Sequence, residues 1–242
     1  MSRHSKWSKI KGPKGVADKK KGVLFSKLTR AITLTAREGG DPGANFKLRM
    51  AIDTAKAAEM PKDNIERAIA KGSGADKDGA QLIQETYEGF GPGGVAFMVE
   101  VVTDNKNRAY QELKHTFAEH QGNLGGSGSV AWMFQKRGVI RLAVSSSQSS
   151  VHSDFELKLI DAGAEDIVPE DEGLTVYTKP EALKSTEEKL RAAGLTPEYA
   201  GLAWVPKEKI TAPPAAQNQF AALEDALDEM EDVSEYYTNA TI

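Results

Sequence analysis

The chain has 242 residues, no cysteine, 31 Lys and Arg against 35 Asp and Glu, and a formal net charge of -4. Without cysteine, disulfides, thiolate metal sites and cysteine nucleophiles are excluded, and no apolar run approaches the roughly 20 residues of a membrane-spanning helix. The charge is unevenly placed: residues 1–78 hold 18 cations and nine acids, leaving 13 cations and 26 acids to the rest, an asymmetry that points to a polyanionic partner for the basic part.

From Ser2 to Arg30, ten Lys or Arg stand against one acid, Asp18. Trp7, Ile10, Leu24, Phe25 and Leu28 are interleaved with them, enough apolar anchors to dock parts of this stretch onto a core. Gly12, Pro13, Gly15 and Gly22 interrupt any long helix here, leaving at most a short turn or helix after Pro13. The N-terminus is basic but has no apolar signal-peptide core, and its motif residues begin at Ser2, so a cytoplasmic protein without a removable leader is expected.

Val23 to Arg37 reads as an amphipathic helix with Leu24, Leu28, Ile32 and Ala36 spaced by four, stopped by Gly39, Gly40, Asp41 and Pro42. A second helix is expected from about Ala44 to Ala58, with Phe46, Met50, Ala51, Ala55 and Ala58 inward. A third starts at Pro61, which suits a first helical turn, and stops at Gly72 and Gly74. These make a small bundle, followed by a linker at Ser73 to Ala80.

Leu82 to Glu88 and Val95 to Val102 are strand-like, joined by Gly89 to Gly94 and followed by a helix from about Lys106 to His120. A loop at Gly122 to Gly128 precedes a strand candidate, Val130 to Phe134. A further unit begins near Gln135: strand Gly138 to Val144, a Ser-rich loop, helix Ser153 to Ala162, strands Glu165 to Pro169 and Leu174 to Lys179, helix Pro180 to Ala193, and strand Glu198 to Trp204. That is βαββαβ, the order of a ferredoxin-like sandwich. A last helix, Gln217 to Glu231, and a strand-like tail, Val233 to Thr238, complete the earlier strand, strand, helix unit, with the βαββαβ module inserted in it.

Several apparent motifs have plainer readings. Gly89, Gly91 and Gly94 match GxGxxG, but a dinucleotide loop should open a helix, whereas a strand follows here and Pro92 sits inside, so a tight hairpin is expected. Gly122 to Gly128 lacks the Lys-Ser/Thr pair of a phosphate loop. His4, His115, His120 and His152 show no metal-ligand spacing and read as surface or capping residues. Glu224, Asp225, Asp228, Glu229, Glu231 and Asp232 read as the polar face of a helix whose apolar side is Phe220, Leu223, Leu227 and Met230. No His or Asp pattern makes a nucleophile of any serine in Ser145 to Ser150.

The basic stretch is the strongest functional signal. Arg3, Lys6, Lys9, Lys11, Lys14, Lys19, Lys20, Lys21, Lys27 and Arg30 form the expected nucleic-acid contact set, with Arg able to bind phosphate bidentately and Lys as a point charge. No zinc-finger spacing, RNP signature or clear recognition helix is present, so no base-reading element is identified.

Dense blocks of residues carry a resemblance: His4-Ser5-Lys6-Trp7, Phe25-Ser26-Lys27-Leu28, Arg37-Glu38-Gly39-Gly40, Met60-Pro61-Lys62-Asp63-Asn64-Ile65-Glu66-Arg67-Ala68-Ile69, Tyr87-Glu88-Gly89-Phe90-Gly91-Pro92-Gly93-Gly94-Val95, Thr103-Asp104-Asn105-Lys106-Asn107-Arg108 and Gly128-Ser129-Val130-Ala131. Over essentially its whole length the chain resembles the YebC/PmpR family, which includes the mitochondrial translational activator of cytochrome oxidase. The resemblance implies an N-terminal helical domain and two α/β domains, the last inserted into the middle one. It also implies a nucleic-acid-associated regulator, described in bacteria as a DNA-binding transcriptional regulator and for some members as a ribosome-associated factor that helps translation of difficult sequences such as proline runs; the family is not known as an enzyme. Arg3, where a Gly usually precedes the His-Ser-Lys-Trp block, the Gly12-Pro13-Lys14-Gly15 run and the three lysines at 19–21 depart from the family pattern while keeping or raising the charge.

Together these readings give an α+β chain of three domains: a basic helical domain over 1–78, a discontinuous α/β domain over 79–134 and 207–242, and a ferredoxin-like α/β domain over 135–206. The expected function is non-enzymatic regulation of gene expression through nucleic acid, as a DNA-binding transcriptional regulator with a ribosomal-RNA-associated translation factor as the alternative, and with no catalytic residue, metal or cofactor and no membrane contact. A protein-interaction module using the acidic α/β face is the competing class.

Overall fold

The computed structural model describes residues 18–74, 81–143, 153–170 and 173–241. The turn expected after Pro13, most of the linker before Ala80 and the Ser-rich stretch 145–150 lie outside them. Three helices come first: α1 Asp18–Ala36, α2 Phe46–Ala57 and α3 Lys62–Gly72. Leu28, Ile32 and Ala36 of α1 pack with Leu48, Ile52 and Ala55 of α2 and with Ile65 and Ala68 of α3 in one core. Gly22 does not break the first helix but lies within it. A single helical glycine costs about 1 kcal/mol, less than the burial of the apolar face that follows it contributes.

Capping defines the turns of this bundle. The Asn45 side chain accepts from Leu48 N at 3.0 Å and donates to Thr35 O and Gly39 O, each at 2.8 Å, fixing the start of α2 against the end of α1. Gly72 lets α3 approach α1, because a Cβ there would collide with Thr33 O.

The first sheet has strand order β3-β1-β2-β9, with β1 Ile83–Phe90, β2 Ala96–Thr103, β3 Asn123–Leu124 and β9 Val233–Thr238, all pairs antiparallel. The GxGxxG match lies in the β1–β2 hairpin, where Gly93 takes φ 73° within a 3₁₀ turn, Pro92–Gly94. Helices α4 Lys106–Glu119 and α7 Pro214–Glu229 cover one face, burying Phe97, Val99 and Val101 against Leu113, Phe117, Phe220 and Leu223. Ala96 and Met98 point the other way, onto Phe134, Ala203 and Trp204 of the second sheet. Burial on both faces is why β2 is almost continuously apolar rather than alternating.

The second sheet has order β5-β6-β4-β7, built from β4 Phe134–Leu142, β5 Asp166–Glu170, β6 Gly173–Thr178 and β7 Pro197–Pro206. With α5 Ser153–Ala162 and α6 Leu183–Ala192 this is the ferredoxin-like arrangement, its core formed by Ile140, Leu142, Leu159, Leu174, Val176 and Leu190. The structure is thus α+β, an N-terminal helical region followed by two α/β layers, with the strands of the second sheet lying in sequence between those of the first. A short parallel pair, β8 Ile210–Thr211 with β10 Ala240–Thr241, ties the C-terminus down.

One expectation is corrected here. Val130 to Phe134 is not a separate strand: residues 131–133 form a 3₁₀ turn and Phe134 begins β4, which runs unbroken to Leu142. The cause is the Glu88 carboxylate, which takes the N–H groups of Gly128, Val130 and Ala131 at 2.7, 2.8 and 2.8 Å and leaves them unavailable to a strand ladder.

Candidate nucleic-acid interface

The expected contact set divides. Lys20 and Lys21 are exposed on the first turns of α1, and the Lys21 ammonium lies 5.6 Å from the Phe25 ring centroid. Arg3, Lys6, Lys9, Lys11 and Lys14 lie outside the described residues, as does the side chain of Lys19.

Lys27 and Arg30 are turned inward, contrary to expectation. Lys27 is 5% exposed, and its ammonium donates to Leu227 O at 3.2 Å and Asp228 O at 2.8 Å, the carbonyls of the last turn of α7. A cation there adds to the 3.3 Å bond that Met230 N makes to Leu227 O at the helix end and meets the negative end of the helix dipole. Arg30 bonds Asp232 Oδ1 and reaches Val102 O and Glu231 Oε2, each at 3.4 Å. Both join the helical region to the first sheet and the helix α7 that covers it. Lys27→Met is expected to lower stability by about 1 to 2 kcal/mol while leaving the salt dependence of nucleic-acid binding unchanged, which denaturant melts and a salt titration check.

Asp232 is the centre of this joint. Besides Arg30, its carboxylate takes Arg108 Nη2 at 2.9 Å and Thr103 Oγ1 at 2.8 Å. Burial alone would raise the Asp232 carboxyl, but the hydrogen bonds from Arg108 and Thr103 and the Arg30 charge outweigh it and hold it below the usual carboxylate range. The acidic run is therefore not simply a solvated helix face: α7 ends at Glu229, and both Glu224 and Asp232 are buried.

The helical region also grips the second sheet. Phe46 and Met50 of α2 pack against the core under β4 and β6, Arg49 lies 3.7 Å from the fully buried Glu187, and Arg191 lies 3.3 Å from Asp53. With Arg37 Nη1 donating to Leu82 O at 2.5 Å, the helices are fastened to both sheets. The exposed lysines at the start of α1 are thus presented in a fixed orientation.

Sequence reasoning did not single out Lys56, Arg67 and Lys71, further exposed cations of α2 and α3, because each lies in a locally balanced segment. It also passed over Trp132, a large exposed aromatic on the turn that leads into β4. The two described histidines make local contacts: His115 sits 3.2 Å from Glu119, and His120 Nδ1 is 2.8 Å from Thr116 O at the end of α4. No described helix is long and apolar enough to cross a membrane.

Comparison with known proteins matches both parts of the chain. A family model for the TACO1/YebC protein N-terminal domain covers residues 5–75, and one for the TACO1/YebC second and third domain covers residues 82–240. A probable transcriptional regulatory protein of Desulfosudis oleivorans is 46% identical over 100% of this chain and 97% of its own length; a protein of the same description from Symbiobacterium thermophilum is 43% identical over 98% of each. The crystal structure of the conserved hypothetical protein Aq1575 from Aquifex aeolicus superposes with a TM-score of 0.84 at 40% identity, covering 98% of this chain and 96% of that one. Matched from its helical region through both sheets, and resembling in its motifs the YebC/PmpR family, the chain belongs to the TACO1/YebC family.

Proposed function

We propose that the protein is a non-enzymatic transcriptional regulator that binds the DNA backbone through its basic N-terminal region. The observation that carries this reading is the sorting of cations along α1: Lys20 and Lys21 face solvent, while Lys27 and Arg30 bind the helical region to the rest of the molecule. The contact set is then Arg3, Lys6, Lys9, Lys11, Lys14, Lys19, Lys20 and Lys21, without Lys27 and Arg30. The names of the relatives support a regulatory role, and the acidic remainder of the chain would repel a polyanion and favour one orientation on it.

Two measurements test this reading. In anisotropy titrations with duplex DNA over a range of salt, the Lys20→Ala/Lys21→Ala double variant should bind more weakly and lose roughly two units of log–log salt slope, about 0.9 per phosphate contact released. Unchanged affinity and slope would remove these lysines from the interface. Crosslinking in cells with sequencing of the attached nucleic acid should recover promoter DNA; ribosomal RNA in its place would overturn the transcriptional assignment.

A further inference from the structure

We propose that Trp132 is a stacking platform for an unpaired nucleic-acid base, with Lys207 beside it, and Lys136 and Lys209 on the same two chain segments, to meet the neighbouring phosphates. The proposal deepens the nucleic-acid reading above and rests on it, but it concerns a different surface, at the junction of the two sheets.

Trp132 is 64% exposed, the most exposed of the large hydrophobic side chains described. A mobile loop would account for such exposure without any function, yet this segment is held at several points. The Glu88 carboxylate fixes the backbone of Val130 and Ala131, Met133 N donates to Val130 O at 2.8 Å, and Lys207 N donates to Met133 O at 2.9 Å. Lys207 Nζ also donates to Trp132 O at 2.8 Å. The indole N–H is satisfied within the turn by Ser129 O at 3.1 Å, so the polar edge of the ring is turned to the protein. Among the described residues no second ring or cation covers its faces.

The charge around the ring identifies the occupant. Residues 131–136 contain Lys136, whose ammonium lies 5.3 Å from the Trp204 ring centroid, and no acid, and residues 203–211 contain Lys207 and Lys209 against Glu208 alone, in a part of the chain that is otherwise strongly acidic. Pairing of Phe134 with Pro206 and of Lys136 with Trp204 brings the two segments side by side, and Lys136, Lys207 and Lys209 are exposed. A rigid, solvent-facing indole beside lysines is the combination that single strands use, with stacking on the base and cations along the backbone. A duplex buries its base faces and offers the indole nothing to stack on unless it is opened.

The full-length protein, titrated with labelled 12-nucleotide single-stranded RNA, single-stranded DNA and duplex DNA, tests this directly. Trp132→Ala should weaken single-strand binding by about 5- to 150-fold, the range of one stacked base, with the salt slope unchanged because no phosphate contact is lost. Trp132→Phe should recover most of the affinity, and Lys207→Ala should lower the slope. Trp132→Leu keeps apolar bulk without a stackable face and carries the test if the alanine variant shifts the unfolding midpoint. Single-strand affinity within twofold of wild type for both the Ala and Leu variants overturns the proposal. Should Lys20→Ala/Lys21→Ala weaken binding while the Trp132 variants do not, the backbone reading stands and this one falls; the reverse result keeps the stacking site and removes the N-terminal contacts.

Discussion

Replacing Asp232 with alanine is expected to destabilise the protein by about 3 kcal/mol, the lower end of the loss on breaking a buried ion pair. The carboxylate is 5% exposed and receives donors from three elements: Arg30 of α1, Thr103 at the end of β2 and Arg108 of α4. Without it, Arg30 and Arg108 lose the carboxylate they share and fall back on the exposed Glu231 and Asp104, and the Thr103 hydroxyl on Asn105 O at 3.3 Å. Both arginines are partly exposed and can rehydrate, which keeps the loss at the lower end. Asp232→Asn, which preserves volume and one acceptor oxygen, should lose about half as much, and Arg108→Ala less again, because Arg108 is 43% exposed and its removal leaves Asp232 bonded to Arg30 and Thr103.

Urea denaturation measures these differences, and an Asp232→Ala protein within about 1 kcal/mol of wild type would show that Asp232 does not hold the helical region in place. Because this region carries the exposed lysines, Asp232→Ala should also release it to limited proteolysis. Its carboxyl titrates below the ordinary range in the folded state. Its contribution is therefore present above the unfolded-state value, near pH 4, and is lost as pH falls through the lower folded value.

How far the sequence reveals this architecture depends on the range of the interaction concerned. The helices of the bundle are legible because their apolar residues recur at spacings of three and four and their ends carry local signals, the Gly39 to Pro42 stop and Pro61, whereas the Asn45 cap emerges only in the structure. The strand order of the second sheet follows from the βαββαβ sequence of elements, since few topologies satisfy short connections and a single covered face. By contrast, Lys27 and Arg30 look no different in sequence from Lys20 and Lys21. What separates them are acceptors some 200 residues away, at Leu227, Asp228, Glu231 and Asp232. A charge run can be counted from sequence, but which of its members face solvent is a tertiary property. The start of β4 was hidden for the same reason, because its position is set by a carboxylate more than 40 residues earlier.

That carboxylate, Glu88, should give the second large effect. Glu88→Ala leaves the N–H groups of Gly128, Val130 and Ala131 without their acceptor, and the Val130 bond is fully buried. With about 1 to 3 kcal/mol for each unsatisfied buried donor, and partial rehydration of the two nearer the surface, the expected loss is about 3 kcal/mol. Glu88→Gln separates charge from shape. Its amide oxygen can serve Val130 and Ala131 together, as Oε2 does, but the NH2 then faces Gly128 N–H donor to donor, so a loss of about 1 to 2 kcal/mol is expected. Burial by itself would raise the Glu88 carboxyl; the three backbone donors outweigh it and hold it below its ordinary value. Its contribution is thus complete above the unfolded-state value and disappears as pH falls through the folded one, so the difference between wild type and Glu88→Gln should shrink below about pH 4. A difference that persists undiminished in acid would mean that packing, not the carboxylate's charge, holds the turn. The same variant tests the rigidity on which the Trp132 site depends: faster amide exchange across residues 128–133 should accompany weaker single-strand binding, with the lysines of α1 untouched.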